Sequence, residues 1–188
     1  EWGIAVAKKN PNKIIMQSPN VAKISYSRFK KVLIHELNHI YMFYMPKYST
    51  IPSWFKEGIA MYYSKEFSLL HKIEISYSLW KKNLLSLRQL KNVNIYDDDK
   101  IKLAYGESAA AIEALLYYYG ENILFNIFIN LHQGKTFNSS LEMAINENLF
   151  DFQIKFEQFL KENYNWIFLF KTRKYIYVIL PIILVLGF

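Results

Sequence analysis

The sequence predicts an α+β fold that is predominantly helical, and three observations carry that expectation. Residues 2–7 and 14–18 are short runs of β-type composition, separated by the turn-forming stretch Lys8-Lys9-Asn10-Pro11-Asn12-Lys13. From residue 27 onward apolar side chains recur at helical rather than alternating spacing, in segments closed by Pro46, Gly120 and Gly134. Residues 107–119 are rich in Ala, Leu and Tyr and apolar nearly all round, as the central buried helix of such a fold would be.

With 188 residues, 52% of them hydrophobic, the chain can form one domain with a real core plus an attachment. We read residues 1–165 as that domain and residues 166–188 as a membrane-proximal segment. The formal charge of +7 is spread along the chain without a block of basic residues. That fits solubility or attraction to an anionic membrane surface; it is not the footprint of a nucleic-acid-binding protein. There is no cysteine, so disulfides and thiolate metal ligands are ruled out.

Taken in order, the two β-type runs form a hairpin whose edge suits an extended peptide. A helix follows from about residue 27 to 45, with Ser25 or Ser27 as its N-cap and Pro46 stopping it. It carries His35-Glu36-Leu37-Asn38-His39. Residues four apart share a helix face, so the imidazoles of His35 and His39 can aim at one point. Two converging neutral imidazoles suit Zn²⁺, and the adjacent Glu36 can serve as general base toward a water at the metal. Phe29, Val32, Leu33, Ile40 and Phe43 surround Glu36 at helical spacing, placing its carboxylate within the apolar stripe, where it needs compensation. The plainer account is coincidence, which yields this triplet in about one chain of this length in a few hundred.

Ser53 is the expected N-cap of a second helix over residues 54–64. Trp54, Glu57, Gly58 and Met61 share one of its faces, which puts an acid where an apolar residue belongs. Seventeen residues lie between His39 and Glu57, enough for an antiparallel return, and Gly58 permits a close helix approach. His35, His39 and Glu57 would then be three protein ligands with a fourth place left for water, as in a catalytic rather than a structural zinc site.

Residues 66–92 read as helical. Asp97-Asp98-Asp99 lacks the glycine and terminal glutamate of a calcium loop and is expected to be a solvated turn capping the next helix, 107–119. Another helix over 121–132 ends at Gly134, and Ser139-Ser140-Leu141-Glu142 resembles a capping box opening a short one. Asp151 is the expected cap of a last amphipathic helix running to about Tyr164. His71 and His132 are read as ordinary, the latter explained by the helix dipole.

The motif His35-Glu36-Leu37-Asn38-His39, followed by Trp54-Phe55-Lys56-Glu57-Gly58-Ile59-Ala60 and then Ala104-Tyr105-Gly106-Glu107-Ser108, resembles the peptidase MA-like family of zinc metallopeptidases, which belongs to the gluzincins. The likeness covers about residues 3–163 and implies a zincin-like fold with a small N-terminal sheet and a C-terminal helical subdomain. It implies that His35, His39 and Glu57 ligate Zn²⁺ and that Glu36 is catalytic. The chain departs from the pattern at Met61, where thermolysin-like members carry an aspartate that orients a histidine. Glu107 or Glu113 are the candidates for that acid. Part of the usual N-terminal sheet also lacks a counterpart.

The expected activity is hydrolysis of a peptide bond in a peptide or protein substrate, with Tyr105 as the candidate oxyanion donor because it precedes the buried helix. With 15 tyrosines in the chain, a plain core role for it is equally open. One rival is a catalytically inactive zincin-like module attached to a membrane; the intact Glu36 argues against it. The other is an integral-membrane helical protein whose histidines serve packing. Residues 175–188 form an uncharged apolar run, about 21 Å long as a helix against a hydrocarbon core of about 30 Å, and 166–170 are apolar too. We read a short or truncated transmembrane helix there. Lys171, Arg173 and Lys174 before it favour a cytoplasmic domain, whereas the family likeness and a start without Met favour an extracytoplasmic one, which is the side expected here.

Overall fold

A computed structural model describes residues 4–9, 12–44 and 50–165. The expected terminal segment 166–188, with its membrane span, and Pro46 lie outside the described residues. The fold is α+β and predominantly helical. Strands β1 (Ala5–Lys8) and β2 (Lys13–Met16) pair antiparallel, Ala5 opposite Met16 and Lys8 opposite Lys13. After them come α1 (Pro19–Ala22), α2 (Tyr26–Tyr44), α3 (Ser53–Tyr63), α4 (Leu69–Lys81), α5 (Asp98–Tyr119), α6 (Ile123–His132), α7 (Phe137–Ile145) and α8 (Leu149–Tyr164).

The hairpin packs on one side of α2, and α3 packs on another. Ser25 caps α2, its hydroxyl accepting the Arg28 N–H at 3.2 Å. The apolar stripe on α2 is only half-covered: Val32 and Met42 are buried, while Phe29, Leu33, Glu36, Ile40 and Phe43 are intermediate. Glu36 therefore does not sit in a closed interior, as the stripe alone implied.

α5 is the axis of the helical part. Its residues 106–112 are continuously buried, and it packs against α3, α4, α6 and α8. The closest approach is to α3. A β-carbon on Gly58 would stand 2.3 Å from the Ser108 carbonyl oxygen and 2.8 Å from Ile112 Cγ1, so only glycine allows this helix spacing. Trp54 and Phe55 anchor the first turn of α3, in ring contact with Phe137, and Trp54 stacks on Phe152. Glycine ends α5 as expected, with Gly120 at φ 81°.

Several helix boundaries differ from the sequence reading, three of them because a different side chain caps the backbone. α3 starts after Pro52, leaving Ser53 as its first helical residue rather than its cap. Asp97 accepts the Lys100 N–H at 3.1 Å and starts α5 nine residues earlier than expected. Tyr105 consequently lies inside that helix rather than before it. Thr136, not Ser139, caps α7, and Asn148, not Asp151, caps α8 by accepting the N–H groups of Phe150 and Asp151 at 2.8 and 3.0 Å. The expected helix over 66–92 is α4 alone; it ends at Lys82 in the left-handed conformation and gives way to two 3₁₀ turns at Gln89–Lys91 and Val93–Ile95.

Candidate metal centre

The helical repeat of α2 sets His35 and His39 one turn apart, with ring centroids 4.9 Å from each other at 73°. α3 returns alongside and brings Glu57 to both. Its Oε2 lies 3.5 Å from His35 Nε2 and 3.4 Å from His39 Nε2. These three side chains offer ligand atoms all within 4.8 Å of one another, and they form the metal-capable cluster found among the described residues. The separations are long for hydrogen bonds. They match the spacing of neighbouring ligands on a tetrahedral zinc, each about 2.0–2.1 Å from the ion and so about 3.4 Å apart. Two imidazoles and one carboxylate, with no cysteine, fit Zn²⁺ by donor chemistry as well.

The electrostatics reflect the same crowding. Burial opposes charge on His35, but the carboxylates of Glu57 and Glu66 beside its two nitrogens outweigh it and hold its pKa at about 9. Burial would likewise raise Glu57; the two imidazoles overcome that and bring it down to about 2. In the metal-free protein the cluster thus holds a proton that a cation must displace.

Glu36 is half-buried on α2 next to His35. Tyr105 reaches the same region from α5. Burial, then the charges of Glu57 and Glu36, push its hydroxyl up to about 12, so it keeps its proton at neutral pH.

Glu107 and Glu113 are not the acids that orient a ligand. Glu107 is fully buried and its two oxygens accept the Leu85 N–H at 3.2 and 3.1 Å, which fastens the loop after α4 to α5. Burial pushes its carboxyl well above the usual range, with the Leu85 N–H pulling the other way. Glu113 pairs with Lys72 at 3.1 Å and accepts from the Tyr164 hydroxyl. The carboxylate on His35 is instead Glu66, whose Oε2 lies 2.7 Å from Nδ1. Sequence reasoning missed Glu66 because it sits past the end of α3, where helical periodicity says nothing. The usable signal was its place directly after the helix that bears Glu57.

Ser68 caps α4, and His71 in its first turn completes the capping box, Nδ1 accepting the Ser68 N–H at 3.2 Å. His132 lies in the last turn of α6, as read. Among the described residues no helix is long and apolar enough to cross a membrane.

No curated protein and no solved structure matches this chain. A family model described as the peptidase MA superfamily matches residues 1–162, the span that holds the hairpin, the two helices that carry His35, His39 and Glu57, and most of the helical core, and the chain belongs to that superfamily.

Proposed function

We propose that the chain is a zinc-dependent peptidase in which His35, His39 and Glu57 hold the metal. The observation that carries this reading is the meeting of two Nε2 atoms on one carboxylate oxygen at 3.4 and 3.5 Å. Bound there, Zn²⁺ would act as a Lewis acid and lower the pKa of water. The remaining work falls to side chains. Glu36 takes a proton from the attacking water onto its carboxylate and returns it to the leaving amine nitrogen. Tyr105, protonated at working pH, donates its hydroxyl hydrogen to the carbonyl oxygen on which charge develops. The β1–β2 hairpin on α2 offers backbone groups to an extended substrate.

The substrate is a peptide or protein. Residues 1–165 are the peptidase domain, and residues 166–188, with their two apolar runs, attach it to a membrane, with the domain on the extracytoplasmic side. What supports the attachment is composition: the apolar runs at 166–170 and 175–188.

The test is Glu36→Gln in the full chain. The substitution keeps the shape and removes the base. A peptidase loses about 10²–10⁴-fold in turnover of an unfolded protein substrate while retaining stoichiometric zinc. Equal cleavage by both proteins, or none by the zinc-loaded parent on any unfolded substrate, overturns the reading.

A further inference from the structure

The chain leaves α3 through a Schellman turn. Lys65 takes the left-handed conformation at φ 58°, its N–H reaching the Tyr62 carbonyl at 3.2 Å, while the Glu66 N–H reaches the Met61 carbonyl at 3.1 Å. This turn reverses the backbone and sets the Glu66 side chain against α2. There Oε2 meets His35 Nδ1 at 2.7 Å and accepts the Ser64 hydroxyl at 3.1 Å, and Oε1 pairs with Arg28 Nη1 at 3.3 Å. The carboxylate is nearly enclosed, at 11% exposure, with the half-exposed Arg28 closing its outer side. Met61, one turn beyond Glu57, is buried and apolar and can contribute no acid.

We propose that Glu66 is the positioning residue for His35, supplying from a turn outside the helix the acid that α3 itself lacks. An ionised carboxylate can only accept, so the short bond fixes the proton of a neutral His35 on Nδ1. The lone pair is then on Nε2, the nitrogen that faces Glu57 Oε2. The bond also stops the ring from rotating and makes it a stronger donor toward a cation. The Ser64 hydroxyl and the Arg28 guanidinium both meet the same carboxylate, contacts that favour its ionised form. The inference rests on the zinc site of the proposed function.

Its test uses the zinc-stripped full chain, titrated with zinc against a chromophoric chelator, for the parent, Glu66→Gln and Glu66→Ala. Glu66→Ala is expected to weaken zinc binding about 10–100-fold. Glu66→Gln, whose amide oxygen still accepts, is expected to lose less. Long-range ¹H–¹⁵N spectra of the zinc-loaded parent report the tautomer directly: His35 should carry its proton on Nδ1, and that signal should shift in Glu66→Gln. A merely structural Glu66 would lower the unfolding midpoint of the metal-free protein without moving this resonance. If the parent binds zinc and both variants bind it equally well, the role of Glu66 is overturned while the zinc site stands; a zinc-loaded parent with His35 protonated on Nε2 overturns the role and the assigned ligand atom together. A parent that binds no zinc overturns both. Glu66→Gln, which keeps the shape of the side chain, decides the matter through its zinc affinity and the Nδ1–H signal even if Glu66→Ala does not fold.

Discussion

Adding one methyl group at Gly58 should damage both the core and the metal centre. The new β-carbon would stand 2.3 Å from the Ser108 carbonyl oxygen, a backbone atom of the central helix that cannot rotate aside, and 2.8 Å from Ile112 Cγ1. Reaching ordinary contact requires α3 and α5 to separate by about 1 Å. Overpacking of this kind costs about 1–3 kcal/mol, and a backbone obstacle puts Gly58→Ala at the upper end. For a chain of this size each kcal/mol lowers Tm by about 2–4 °C, so a loss of about 6–12 °C is expected. Glu57 is the neighbouring residue, and a shift of about 1 Å far exceeds the roughly 0.2 Å that a metal site tolerates. Zinc affinity should therefore fall together with stability, even though no ligand has changed. Thermal unfolding of the metal-free protein and a chelator competition measure the two effects. A Gly58→Ala protein with unchanged Tm and unchanged zinc affinity would refute the close approach of these helices.

Three further outcomes follow from the same contacts. His35 is raised from 6.5 to about 9, so its contribution to the metal-free fold is complete below pH 6.5 and fades as pH rises through 9; Glu57 is lowered from 4.5 to about 2, so its share is present above pH 4.5 and lost as pH falls through 2. Both describe one cluster, worth at most about 3 kcal/mol, and denaturation in the presence of a chelator should show higher stability at pH 5.5 than at pH 9.5, with the difference absent in His35→Ala. Glu107→Gln should change stability by under about 1 kcal/mol, because the site already favours an uncharged carboxyl, whereas Glu107→Ala leaves the Leu85 N–H unsatisfied and costs about 2–4 kcal/mol by urea denaturation. Asn148→Ala removes two N-cap bonds from α8 and should cost about 1 kcal/mol, read as a drop of about 2–4 °C in Tm.

The cluster of His35, His39 and Glu57 was legible because helix geometry converts spacing into position. Residues four apart face one way, and an acid on the face of Trp54, Gly58 and Met61 had to meet whatever that face packs on. The hairpin was legible from two β-type runs around a turn, and Gly58 from its place beside the acid. Helix starts were less so. Asp97, Thr136 and Asn148 each compete with other good caps a few residues away, and tertiary contacts choose among them. That is why α5 begins at Asp98 and encloses Tyr105. Glu66 was illegible for another reason: its contact with His35 spans 31 residues and depends on a left-handed Lys65, a conformation that no glycine or asparagine announces at that position. The half-covered stripe of α2 likewise depends on how much sheet lies over it, which periodicity alone does not specify.

The measurement that bears most directly on the central claim is metal content and affinity of the purified full chain beside Glu57→Ala. One zinc per chain is expected in the parent, held tightly, with affinity collapsing when the third ligand is removed. Zinc absent from the parent, or bound equally well without the Glu57 carboxylate, would contradict the account.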